Sequence, residues 1–285
     1  MTKTKHVHHQ RSSYHVLVFP NRDMIWLLPS LAIFFLCYAV PFSMSLLSTF
    51  MDISGAYAGC ENYRLLICDP FYLLAIKNTL VFLFTAIAIT LVLGALTAHV
   101  LFSFRFLRVS ILLLLIPFFL PASSIAALWR AMMSNNFWIV QILRPKDASW
   151  KFISLLLLFI WKNAGAVTAL LLVGMSEIDV SIFYAAQLDG ASKRMLLYKI
   201  ELPLLRHIIL IAFLYLLMNG VRIFRECYLL YGGYPPSNLF FVQHYVNNYF
   251  VKLDYPLLSS AAVVFSSLVL VLYCLIWGIL RKGDE

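Results

Sequence analysis

The chain has 285 residues, of which 62% are hydrophobic and only 12% charged. Soluble domains carry roughly 25% charged residues, so the composition excludes an ordinary water-soluble globule and places the chain in a bilayer. The formal net charge of +9 is explained by membrane topology and anionic lipid, and it implies no nucleic-acid partner.

Crossing about 30 Å of hydrocarbon takes roughly 20 helical residues. Six apolar runs reach that length: 24–47, 78–104, 109–128, 152–175, 208–231 and 257–280. Each reads as a helix, because a lipid-facing backbone must satisfy its own hydrogen bonds and none shows the alternation of a barrel strand. Residues 1–23 form a polar tail bearing His6, His8 and His9; without a rigid further ligand and second shell these read as solvated side chains rather than a metal site. The first run is too long for a signal-peptide core and has no A-x-A-like site after it, so it stays in the mature chain. Its Pro29 and Pro41, with Pro117 and Pro121 in the third run, are expected to kink helices.

Positive loops stay on the cytoplasmic side. With both ends inside, the inner segments hold Lys3, Lys5, Arg11, Arg22, Arg105, Arg108, Lys193, Arg194, Lys199, Arg206, Arg281 and Lys282, against Arg64, Lys77, Arg130, Arg144, Lys146, Lys151 and Lys252 outside. The expected fold is therefore an all-α membrane protein with six spans, N-in and C-in: a tail at 1–23, a transmembrane domain at 24–280 and a short inner end at 281–285. Cys37, Cys227 and Cys274 lie within spans and read as small hydrophobes. Cys60 and Cys68 share the first outer loop; if 61–67 is helical they sit about 12 Å apart, too far for a disulfide.

The connection at 176–206 is long for a loop that only reverses the chain. It reads as a short helix, a turn at Asp189-Gly190 with glycine as the left-handed cap, and a second helix ended ahead of Pro203. Ile182, Phe183, Leu188, Met195 and Leu196 exceed what a solvated hairpin needs, while Ala185, Ala186, Gly190 and Ala191 let another backbone approach. A docking knob and an amphipathic hairpin resting on its own bundle or on headgroups both fit.

Charges within spans are expensive, which singles out Lys162, Arg222, Arg225 and Glu226. Arg222 and Glu226, four apart, can pair on one helical face, leaving Arg225 as an uncompensated cation. These arginines either snorkel to water or line a cavity that meets an anionic or polyhydroxylated solute. Trp161, Asn163 and Asn219 offer an aromatic face and amides near mid-membrane, suited to a sugar; either asparagine could instead be interhelical glue. Trp129, Trp138, Trp150, Tyr234, Tyr245, Tyr249 and Tyr255 read as an interfacial belt.

The stretch Ala185-Ala186-x-x-Asp189-Gly190-Ala191, followed after eight residues by Ile200-x-Leu202-Pro203, resembles the EAA loop of binding-protein-dependent ABC importer permeases. Glu61-Asn62-Tyr63-x-x-Leu66, Lys77-Asn78-Thr79, Leu128-Trp129, Trp161-Lys162 and Gly232-Gly233 resemble the maltose-type and glycerol-phosphate-type carbohydrate branch. The resemblance implies that the Tyr184–Pro203 hairpin is a coupling helix seated on an ATP-binding subunit. It implies two such subunits, a second homologous permease, an extracytoplasmic solute-binding protein, and residence in the inner membrane of a prokaryote. Trp161 and Asn163 sit where maltose-type permeases form their site. The motif's opening glutamate is replaced by Tyr184, which can pack and hydrogen-bond but not pair as a carboxylate.

The chain has no G-x-x-x-x-G-K-[S/T] loop, so ATP and Mg belong to the partner and this chain holds no cofactor or metal of its own. It is expected to be a transport subunit, not an enzyme, as no H-E-x-x-H or G-x-S-x-G occurs in the spans. The competing readings are a permease for glycerol phosphate or a polyamine, and a carrier driven by an ion gradient. The latter would favour intramembrane carboxylates or inverted repeats, yet Glu226 is the clear acid within a run.

Overall fold

The structure, a computed structural model, describes residues 27–104, 107–133 and 149–281. The tail with its three histidines, Arg105, Trp138, Arg144, Lys146 and the end beyond Arg281 lie outside the described residues. The chain separates into two compact units, 1–47 and 48–285.

The first unit contains α1 (Leu28–Ser48), whose last residue opens the second. Pro29 falls in its first turn, where a missing N–H costs nothing. A π turn at Phe35–Ala39, closed by the Val40 N–H on the Phe35 carbonyl, stands just ahead of Pro41. The widened turn relieves the clash between the proline ring and the carbonyl one turn back.

In the second unit, α2 (Glu61–Cys68) is fixed by Asn62, whose buried amide donates to the Thr49 and Met51 carbonyls at 2.8 and 2.7 Å. Cys60 and Cys68, at its two ends, are both free thiols. Helix α3 (Pro70–Phe104) begins eight residues before the expected 78. The start is dictated by Asp69-Pro70: the Asp69 carboxylate accepts the Phe71 N–H at 2.8 Å, and proline occupies the first helical position.

The third apolar run is not one straight span. It forms α4 (Leu107–Phe119) and α5 (Ala122–Met132), bent by 99° between them. Pro121 holds extended backbone as the N-cap of α5, so two prolines four apart interrupt the helix where one alone would kink it.

Helix α6 (Ser149–Glu177) is the centre of the bundle. After it come α7 (Val180–Leu188), α8 (193–204), α9 (Arg206–Arg222), α10 (Phe224–Tyr231), α11 (Val242–Val251) and α12 (Tyr255–Arg281). Among the described residues five helical stretches, α1, α3, α6, α9 with α10, and α12, are long and apolar enough to cross a membrane, or six if the bent pair counts as one.

Packing follows membrane rules, in which small residues rather than apolar area bring helices together. A Cβ on Gly165 would collide with the Leu114 carbonyl oxygen, so α4 crosses α6 backbone to backbone. Gly94 seats Val167, Gly174 seats Leu205 and Ile208, and Gly220 seats Leu83. Thr97 and Thr168 join α3 to α6 through their hydroxyls at 2.6 Å.

Candidate functional site

Trp161, Lys162 and Asn163 stand near the midpoint of α6. Lys162 donates to the Glu226 carboxylate, which is 1% exposed. Glu226 therefore pairs across helices with Lys162, not along its own helix with Arg222. The reason is a break at Ile223 between α9 and α10. It interrupts the regular i, i+4 register and directs Glu226 into the bundle. Arg222 and Arg225 are both exposed, so the expected single uncompensated cation becomes two guanidiniums whose nearest acid in sequence is taken.

Asn163 is buried; its amide donates to the Phe159 carbonyl at 2.9 Å and its oxygen accepts from the Tyr215 hydroxyl at 2.9 Å. That second bond ties α6 to α9, so interhelical glue describes its present engagement. Asn219, half-buried, donates to the Tyr215 carbonyl at 2.9 Å. Trp161, partly exposed, stacks on Trp129 at 6.2 Å and 30°. Trp129 is itself buried, with Nε1 donating to Ser154 Oγ at 2.9 Å. It is a wall of this cluster and not part of an interfacial belt; its indole reaches Ser154 because the bend after Pro121 lays α5 against α6. Tyr245 also leaves the belt, being buried with its hydroxyl on Asp69 at 2.7 Å. Arg130 donates to the Leu229 carbonyl and so fastens α5 to α10.

The hairpin between α6 and α9 forms as a unit. The Asp179 carboxylate accepts the Ser181 N–H at 2.9 Å and caps α7; that bond holds its carboxyl below the usual carboxylate range. Gly190 closes the turn at φ +82°, a conformation only glycine adopts freely. Helix α8 does not end ahead of Pro203. A π turn at Leu197–Glu201 carries the chain into a short helix, Leu202–Leu204, that contains it. Proline is tolerated there because, as at Pro41, the widened π turn just ahead of it relieves the clash with the carbonyl one turn back.

Leu196, Glu201 and Leu205 face inward, while Leu188 is 89% and Tyr184 64% exposed, with Ile182 and Met195 also outward. Ala185 is exposed and Ala186, Ala191, Ile200 and Leu202 are half-buried. Glu201 meets His99 of α3, Oε1 to Nδ1 at 3.3 Å, which anchors the hairpin to the bundle.

No family model matches the chain. It is 28% identical over 264 residues to the sulfoquinovosyl glycerol transport system permease protein SmoG of Agrobacterium fabrum, covering 87% of this chain and 84% of that protein. It is 26% identical over 226 residues to the trehalose/maltose transport system permease protein MalF of Thermococcus litoralis, covering 75% and 76%. The chain is similar over most of its length to carbohydrate ABC importer permeases. Like them it is a multi-pass protein of the inner membrane. Its fold matches a chain of a crystallised bacterial ABC transporter involved in import of the acidic polysaccharide alginate, with a TM-score of 0.77, 19% identity, and 93% of this chain and 97% of that one covered. A second structure of a bacterial alginate ABC transporter, in complex with an alginate pentasaccharide-bound periplasmic protein, matches at TM-score 0.75 and 18% identity, covering 92% and 95%.

Proposed function

We propose that this permease carries an oligosaccharide or sugar derivative inward, with an acidic group on it, and takes its energy from ATP hydrolysed by two separate subunits, one of which docks on the α7–α8 hairpin. The observation that carries the acidic substrate is the engagement of Glu226 by Lys162, which leaves Arg222 and Arg225 exposed at the α9–α10 break. Exposed guanidiniums within an apolar segment need water, an anion or a partner chain. Trp161, partly exposed, adds an aromatic face and half-buried Asn219 an amide, while buried Asn163 is taken up in bracing α6 against α9. Two relatives are named for transport of sulfoquinovosyl glycerol and of trehalose or maltose, and the structural neighbour for import of alginate; all of these fall in the saccharide class.

In this reading the chain crosses the membrane six times with both ends inside, and the bent α4–α5 pair is one of the spans. The hairpin tip, Tyr184 to Ala191 with Leu188 foremost, enters a groove of the ATP-binding subunit; Ile200, Leu202 and Pro203 form its return arm. Apolar seating supplies the joint, since an exposed charge pair adds under about 1 kcal/mol and Tyr184 offers none. A homologous permease completes the path, and a solute-binding protein delivers the sugar. The test is uptake of a uronate oligosaccharide and of maltotriose by the assembled system. Arg222→Gln with Arg225→Gln should reduce uronate uptake at least tenfold while leaving assembly and maltotriose handling unchanged; equal uptake of uronate by the variant would remove the acidic-substrate reading.

A further inference from the structure

A second polar-aromatic cleft lies away from the mid-bundle cluster. Its volume is about 390 Å³, within the range of about 300–1,000 Å³ typical of small-molecule sites. The start of α3, the 232–241 connection and α11 build it. Phe71 and Tyr234 stand at its mouth, 69% and 77% exposed, an expensive display for two aromatics in a chain that otherwise has lipid to face. Tyr249 lies deeper, tilted at 35° against buried Tyr245 with ring centroids 4.6 Å apart, and Lys252 holds its ammonium 4.5 Å over the Tyr249 ring.

The polar groups are held in place rather than free to collapse. Asp69 takes the Phe71 N–H on one oxygen at 2.8 Å and the Tyr245 hydroxyl on the other at 2.7 Å, which fixes the carboxylate yet leaves lone pairs on both oxygens. Asn248, 9% exposed, lines the cleft and donates to the Gly233 carbonyl at 3.4 Å. Flat aromatic faces, a fixed carboxylate, an amide and an ammonium in one concave site match a pyranose ring. Its C–H faces stack on rings while its hydroxyls donate to Asp69 and accept from Lys252 and Asn248.

We infer that this cleft is an entry subsite that binds one sugar unit of the solute before it reaches the mid-bundle cluster. The inference rests on the proposed orientation, in which the 48–77 and 232–256 loops face outward. Its role would be to hold a saccharide at the mouth while the chain end moves inward.

The experiment uses the assembled permease complex in nanodiscs without solute-binding protein and without nucleotide, and observes maltotriose by saturation-transfer difference NMR. The wild type is expected to give a saccharide signal that falls at least fivefold in Tyr234→Ala and in Lys252→Gln. Both substituted side chains are outside the packed core, so the complex should assemble, which gel filtration checks. An undiminished signal in the cleft variants would overturn the inference, as would the absence of any saccharide signal from the wild type. Because the readout needs neither ATP nor transport, it stands apart from a failure of the importer reading, which would show as uptake without the ATP-binding subunits.

Discussion

Replacing Lys162 by methionine removes the cation that Glu226 faces while roughly keeping the volume of the stem. Glu226 is 1% exposed and the Lys162 side chain 15%, so the carboxylate would be left in a nearly dry site. Breaking a buried pair from one side costs about 3–5 kcal/mol, because an unmatched charge remains, whereas removing both charges is often close to neutral. At about 1.4 kcal/mol per factor of ten, Lys162→Met should lower the folded-to-unfolded ratio by roughly a hundredfold or more. Glu226→Gln should cost less than Lys162→Met, since the longer lysine can withdraw toward water. The double variant Lys162→Met/Glu226→Gln should recover most of the loss, giving a coupling energy of about 2 kcal/mol or more. Equilibrium unfolding in nanodiscs, followed by the fluorescence of the Trp129–Trp161 stack beside the pair, measures all three. Additivity of the two single changes within about 0.5 kcal/mol would refute the idea that this pair holds α10 to α6.

At the α4–α6 crossing, Gly165→Ala should cost about 1–3 kcal/mol by overpacking, since its Cβ meets a backbone oxygen and not a pliable side chain; an unchanged Tm would show that the two backbones are not in contact there. His244 of α11 is fully buried and burial pushes its imidazole down from 6.5 to about 4. Its neutral form is the one the fold accepts, so its contribution is complete above pH 6.5 and is lost as pH falls from 6.5 toward 4, amounting to about 3 kcal/mol at the acid end. His244→Phe should flatten that part of the stability profile, and a wild-type profile with no slope there would contradict the assignment of a dry, neutral imidazole. On the hairpin, Leu188→Asp should abolish at least nine-tenths of solute-stimulated ATPase activity with insertion intact, read by phosphate release; full stimulation would exclude Leu188 from the joint.

Most of the helical layout was legible because bilayer thickness sets a length and apolar runs declare it. The boundaries slipped where punctuation outweighed hydropathy. Asp69-Pro70 starts α3 eight residues before the apolar run that flagged it, and the pair Pro117 and Pro121 turns one expected span into two helices at 99°. The glycine of the Asp189-Gly190 turn was readable from its position, and it does take positive φ.

In the candidate site, residue types were readable but partners were not. The i, i+4 rule offered Arg222 to Glu226, and only the break at Ile223 with the arrival of Lys162 from α6 decides otherwise. Tyr215, which holds Asn163, and Trp129, which backs Trp161, carried no local signal, because both contacts join segments far apart in sequence. A tryptophan near the end of an apolar run reads as a belt residue unless the bend that buries it is known.

The central claim is that this chain is a path without a motor, driven through its inner hairpin. The most direct measurement is uptake of labelled saccharide into proteoliposomes holding the purified permease pair, with the solute-binding protein and saccharide outside and ATP inside, with and without the ATP-binding subunits. Uptake is predicted only when those subunits and hydrolysable ATP are both present. Sustained uptake by the permeases alone, down an ion gradient, would contradict the claim.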